Sequence, residues 1–225
     1  MKIDIIMGRD AGFLTAASAL ARENRNDGPH LIYLPERPFS LDGFVSDVQA
    51  VMKRLGRCVV AVSEGIRGED GVPIGATLGS GEKDSHGNVQ MSGTGALGDY
   101  LARELKARAG IKRVRADTFG YLQRSFPGMA SKIDQKEATQ AGAVSFALKA
   151  ASGAKDDPVK GTVGILRAKG KAYKVEYVAL PAQAAAKFTR SVPDAYIAKN
   201  GHDVTKAFID YAKPMVGELP HCEIF

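Results

Sequence analysis

The chain alternates short apolar runs with longer stretches of helical period. Residues 3–7, "IDIIM", read as a strand. "GFLTAASALAREN" then reads as an alanine-rich helix in which Leu14, Ser18 and Ala21 share a stripe. "HLIYLPE" is a second strand, closed by Pro35 and Pro38. "SLDGFVSDVQAVMKRLG" is a second helix, with Ser40 placed to cap its start and Gly56 its end. "CVVAVSEG" is apolar on both faces, as a buried parallel strand is.

The rhythm breaks at residues 65–95, where glycine and polar residues dominate. A loop of that length is commonly functional. "ALGDYLARELKARAG" restores a helix, with Leu97, Leu101 and Leu105 four residues apart. "KRVRADTFG" is a fourth strand, in which Arg113, Arg115 and Asp117 alternate with Val114 and Ala116. A long helix, "IDQKEATQAGAVSFALKAAS", follows. "GTVGILRAKGKAYKVEYVAL" is an antiparallel hairpin, and the tail from Ala184 reads as mostly helical, broken at Pro193 and Gly201. No internal repeat or low-complexity segment interrupts this order.

Strands alternating with helices predict an α/β fold: a parallel, doubly wound sheet with flanking helices, followed by the hairpin and the helical tail. Two parts are expected, an α/β domain over residues 1–130 and a helix, hairpin and tail over residues 131–225. In such a sheet, ligands bind at the carboxyl ends of the strands. The predicted ends carry Met7, Gly8 and Arg9; Pro35 and Glu36; Ser63, Glu64 and Gly65; and Gly120, Tyr121, Leu122, Gln123 and Arg124.

Gathered on one rim, these residues suit a phosphorylated, polyhydroxylated ligand. Arginines take phosphate oxygens in a bidentate fork, and carboxylates accept from sugar hydroxyls. The N–H groups opening the helix at Gly12 favour an anion. Each side chain also has a plain reading. Arg9 reads as a solvated helix-end charge, Glu36 as one half of a surface ion pair, Tyr121 as rim packing and Arg115 as a solvated strand residue. His86 and His202 read as surface loop residues rather than ligands. Joint placement at the strand ends is what favours the ligand reading.

Composition narrows the classes. With 225 residues, 44% hydrophobic and 25% charged, the chain can build a core without staples. The formal charge of +6 is scattered among acids, with no dense basic run, so nucleic acid is not an expected partner. No apolar run approaches membrane-spanning length, and "MKIDIIMGRD" is too charged for a signal peptide. Cys58 and Cys222 have no metal-ligand spacing, and Cys58 reads as a buried free thiol, which points to the cytoplasm.

"MGRDAG", "LPE", "VVAVSEG" and "FGYLQRS", in that order, resemble the carboxyl-terminal half of a 6-phosphofructokinase from Ile3 to about Val178. The tyrosine of "GYLQRS" and the glycine-rich insertion look more like the pyrophosphate-dependent branch than the ATP-dependent one. The resemblance implies that Met7, Gly8 and Arg9 line fructose 6-phosphate and that Glu36 accepts from its hydroxyls. It implies that Arg115 grips the 6-phosphate, in bacterial ATP-dependent members from a neighbouring subunit. Tyr121 would lie near the 6-phosphate, Leu122 and Gln123 beside it, and Arg124 near the reacting end.

The amino-terminal half of such an enzyme holds the donor loop, the base and the acidic groups for Mg2+. No glycine–glycine–aspartate or threonine–isoleucine–aspartate occurs here. The resemblance therefore implies a half that binds sugar phosphate, turns over nothing alone, receives pyrophosphate or ATP through the other half, and works in a homo-oligomer, a dimer or tetramer. A non-catalytic sugar-phosphate-binding module on the same fold is the alternative.

Overall fold

The computed structural model describes residues 1–78, 95–122, 126, 128–151, 161–170, 172–186 and 189–220. The chain divides into two compact units, Met1–Phe126 with Ser191–Asp210, and Pro127–Arg190 with Tyr211–Phe225.

The first unit is built on four parallel strands in the order β2-β3-β1-β4. They are β1 (Lys2–Ile6), β2 (Leu31–Tyr33), β3 (Val59–Ser63) and β4 (Arg115–Thr118). In register, Ile3 stands beside Val60 and Ala116, and Ile5 beside Val62 and Thr118. With Leu31 and Tyr33 these apolar positions form one face of the sheet, buried under α2 (Leu41–Leu55) and α4 (Ala96–Ala109). Leu97, Leu101 and Leu105 are buried as their spacing predicts. So are Phe44, Val45, Val48 and Val51 of α2.

Both ends of α2 follow from the sequence. The Ser40 hydroxyl accepts from Gly43 N at the start. Gly56 takes φ 68° at the end, where its N–H reaches Met52 O.

Against β2 and β3 lies α1 (Phe13–Ala17). It is shorter than its alanine-rich sequence suggests. Ser18 Oγ donates to Thr15 O, and the chain tightens into a 3₁₀ turn over Ser18–Ala21. The change of period moves the buried face from Leu14, Ser18 and Ala21 to Thr15, Ala16 and Ala19. The predicted loop after β3 contains bridges from Arg67 to Pro38 and Pro73, and a short helix α3 (Ile74–Leu78). Its later part, with His86, lies outside the described residues.

The tail is less helical than expected. Pro193 precedes a single 3₁₀ turn at Asp194–Tyr196, and a tight reversal with Gly201 at φ 79° carries Val204 back to Ile197. This segment returns to the first unit: Ile32 N donates to His202 O, and Arg22 pairs with Asp203 at 2.8 Å. His202 is accordingly packed, with Nε2 3.7 Å from Asp47, rather than a free loop residue.

The second unit contains α5 (Lys132–Ala151), the antiparallel pair β5 (Gly161–Arg167) and β6 (Val175–Pro181), and α6 (Gln183–Ala186). The last helix, α7 (Lys206–Val216), begins in the first unit and ends in the second. Tyr173 donates to Glu137 and Tyr177 to Gln140, tying the hairpin to α5. The Arg167 guanidinium lies over the Tyr173 and Tyr211 rings, at 4.8 and 4.5 Å.

Candidate functional site

Parallel pairing brings the ends of β1, β2, β3 and β4 to one rim, and the loops there grip one another through backbone. After β1, the Gly8 peptide is held from both sides by the end of β3. Ser63 Oγ donates to Gly8 O at 2.6 Å, and Gly8 N donates to Glu64 Oε1 at 3.2 Å. A Cβ on Gly65 would stand 1.9 Å from Arg9 O, so the loops after β1 and β3 touch where only glycine fits. Met7 points inward and is buried. Arg9 is partly exposed, with Nε 3.5 Å from Asp10 Oδ2, and Asp10 also accepts from Arg67 at 2.7 Å.

Glu36, beyond the end of β2, reaches across to the same loop. Its Oε1 accepts from Gly12 N at 2.9 Å and from Val192 N at 2.8 Å. Its Oε2 is buried and has no hydrogen-bond partner. A Cβ on Gly12 would lie 2.8 Å from that oxygen.

The Gly12 N–H is therefore spoken for by a carboxylate, and α1 has only five residues. The anion site expected at the opening of this helix is not present in that form. A donor already facing a carboxylate offers a second anion repulsion rather than a hydrogen bond.

β4 ends beside β1, where Phe119 N donates to Ile5 O. Gly120 turns at φ 53°, and Tyr121 and Leu122 follow at 61% and 57% exposure. Gln123 and Arg124 lie outside the described residues. The rim thus assembles Met7, Gly8, Arg9, Glu36 and Tyr121, together with Leu122.

Arg115 is elsewhere. It opens β4 opposite Lys2, at the amino end of the sheet, exposed on the face that carries Lys2, Asp4 and Asp117. Lys2 Nζ contacts both carboxylates there, and burial raises the Asp4 carboxyl above its ordinary range, partly offset by Lys2.

The sequence reading placed Glu64 on the rim without giving it a role. Here it is a carboxylate only 6% exposed, in contact with the Gly8 peptide. The signal was available: a charged residue directly after a strand apolar on both faces has no solvated face to turn to.

Chemically, the rim offers a guanidinium, a phenol and two carboxylates around a glycine-pinned backbone. That set can bind an anionic, hydroxylated molecule. Among the described residues no three His, Cys, Asp or Glu side chains converge as metal ligands would. No helix among the described residues is long and apolar enough to cross a membrane.

Residues 3–148 match the phosphofructokinase family. The pyrophosphate–fructose 6-phosphate 1-phosphotransferase of Rhodospirillum rubrum is 53% identical over 216 residues, which cover 96% of this chain and 52% of that protein. The protein of the same name from Xanthomonas campestris pv. campestris is 36% identical, over 95% of this chain and 49% of its own length. The pyrophosphate-dependent phosphofructokinase from Marinobacter aquaeolei superposes with a TM-score of 0.76 at 25% identity, over 100% of this chain and 50% of that one. The chain spans about half the length of the curated relatives it matches. A parallel sheet with this order of motifs, matched by the family along most of its length, identifies the chain as belonging to the phosphofructokinase family.

Proposed function

We propose that this chain is the sugar-phosphate-binding half of a pyrophosphate-dependent 6-phosphofructokinase, which transfers a phosphoryl group to the 1-hydroxyl of fructose 6-phosphate. The observation that carries the reading is the rim itself, with Arg9 presented by a loop that Ser63, Glu64 and Gly65 pin from behind. The names of the relatives support the substrate and the donor.

Phosphoryl transfer is mostly positioning and charge stabilisation. In this reading Arg9 and Arg124 face the charge on the transferring group, and Tyr121 stands at the 6-phosphate with Leu122 and Gln123 beside it. Met7 and Gly8 shape the wall. Glu36 is the rim carboxylate that accepts from a sugar hydroxyl, through the Oε2 that has no hydrogen-bond partner among the described residues, while Glu64 supports the Gly8 peptide from behind. Arg115, at the far end of β4, serves the rim of a second copy rather than its own, which implies a homo-oligomer.

The donor, the general base and a divalent metal, Mg2+, belong to the polypeptide that corresponds to the other half of the relatives. The second unit and its hairpin are the surface on which that half packs. When bound, the metal would neutralise charge on the donor phosphates. The work of the residues here is to bind and orient the sugar phosphate.

Titration calorimetry with fructose 6-phosphate tests this. Arg9→Ala should weaken binding by about 10- to 100-fold, the worth of one charge-assisted contact to phosphate. Equal heats from wild type and Arg9→Ala would overturn the reading, and so would no heat from either.

A further inference from the structure

Asp10, one residue beyond Arg9 on the same loop, is shared between two guanidinium groups. Its Oδ1 accepts from Arg67 Nη2 at 2.7 Å, and its Oδ2 stands 3.5 Å from Arg9 Nε. Arg67 comes from the loop after β3, which fixes it closely. Its carbonyl accepts from Phe39 N at 2.8 Å, its backbone bridges to Pro38 and Pro73, and its neighbour Ile66 is fully buried. Its other terminal nitrogen, Nη1, donates to Gly71 O at 3.2 Å. The Arg67 side chain is thus held by a main-chain oxygen of its own turn and by the carboxylate beside Arg9.

We propose that Arg67 is a positioning residue for Arg9 and acts through Asp10: by engaging Oδ1 it draws the carboxylate off Arg9 and leaves the Arg9 charge for an anion on the rim. The effect on binding rests on the function proposed above; the control of Arg9 by the shared carboxylate does not.

The physical argument is a competition between charges. The Asp10 contact with Arg67 has hydrogen-bond length, and the contact with Arg9 is longer than that. Together the three groups carry one net positive charge. Without Arg67 they carry none, and Asp10 is left with Arg9. The two then close on each other, and a phosphate arriving at the rim competes with a carboxylate tethered one residue away. All three side chains are partly exposed, and exposed ion pairs contribute little to stability. The arrangement therefore matters for where it puts a charge more than for what it adds to the fold.

Three substitutions separate charge, reach and fold. Arg67→Gln keeps a donor for Gly71 O and removes the charge. Arg67→Lys keeps the charge. Asp10→Asn removes the carboxylate for which the two arginines compete.

Side-chain NMR of the ligand-free chain follows the Arg9 Nε–H, assigned by its loss in Arg9→Lys. Its exchange with water should slow by about 3-fold or more in Arg67→Gln, as the charge-assisted pair with Asp10 closes. It should return to the wild-type rate in Arg67→Lys and in the double variant Arg67→Gln/Asp10→Asn. In calorimetry, fructose 6-phosphate should bind about 3- to 10-fold more weakly to Arg67→Gln, the effect of one nearby screened charge. The double variant should recover to within about 2-fold of wild type, because it restores one net positive charge.

An unchanged Arg9 Nε–H rate in Arg67→Gln would overturn the proposal. So would affinity that stays low in the double variant, since a damaged loop or a lost direct contact is not repaired by removing a second charge. Should Arg67→Gln fail to fold, Asp10→Asn alone decides. It should leave the Arg9 Nε–H exchanging no more slowly than in wild type and the affinity undiminished; slower exchange or weaker binding would overturn the proposal. Should wild type bind no fructose 6-phosphate, the functional reading fails while the Arg9 signal still decides the role of Arg67.

Discussion

At the scale of single residues, this molecule depends on a few backbone contacts that tolerate no addition. Gly65 is the clearest. Its missing Cβ is what lets the chain after β3 lie against Arg9 O. Gly65→Ala should push the Arg9 loop away, cost about 3 kcal/mol in urea denaturation, and abolish sugar-phosphate heat. Wild-type stability in that variant would show that the two loops are free to part.

His30 makes a pH-dependent contribution. Its Nδ1 accepts from Val59 N at 2.9 Å, and Nε2 stands 3.2 Å from Asn26 O, an arrangement made by the neutral ring. Burial, with Arg57 and Arg22 nearby, holds its pKa below the ordinary 6.5. On acidification the unfolded chain therefore takes up this proton before the folded chain does. Stability should fall as pH drops below about 6.5 and level off once the folded-state value is passed. His30→Asn, with a non-titrating acceptor, should flatten the curve between pH 7 and 5, as thermal melts across that range would show. Cys58 does not titrate in this range, since burial pushes its thiol up to about 12.

Secondary elements differ in how far they carry their own instructions. Helix α2 carries nearly all of them, with a serine cap, a left-handed glycine stop and an apolar stripe in register. Ser40→Ala should cost about 1 kcal/mol. Gly56→Ala should cost about 1–2 kcal/mol, and purely through φ, because an added Cβ would meet nothing within 4 Å. Chemical denaturation of both variants checks the pair; a cost for Gly56→Ala below that of a surface substitution would refute the backbone argument. Helix α1 carries few. Its composition favours helix over many residues, yet the Ser18 hydroxyl takes Thr15 O and the chain leaves the α period after five. The tail between Pro193 and Val204 behaves likewise, its shape set by proline, a positive-φ glycine and the docking of His202 O on Ile32.

At the scale of the whole molecule, the two units are unequally finished. The first holds all the buried hydrophobic residues among the described ones except Ala212. In the second, Phe146 is 77% exposed, and Met129, Ile165 and Leu166 also face outward. A two-stranded hairpin without a buried face is marginal by itself. Amides of α5, β5 and β6 should therefore exchange at least about 100-fold faster than those of β1 and β3 in this chain. They should slow when the complementary half of a pyrophosphate-dependent relative is added. Equal protection in both units of the chain alone would contradict this picture.

The sequence by itself determined the parallel α/β order, the two ends of α2, the buried face of α4 and the hairpin. These depend on local chemistry: capping, φ, and the periods of apolar residues. It also brought Arg9, Glu36 and Tyr121 to one rim, because parallel strands must end together. Tertiary structure alone decided what those groups do there. No local pattern shows that Glu36 Oε1 serves Gly12 and Val192, or that Gly65 is a point of backbone contact. Each depends on which distant segment arrives beside the residue, and only the packed chain specifies that.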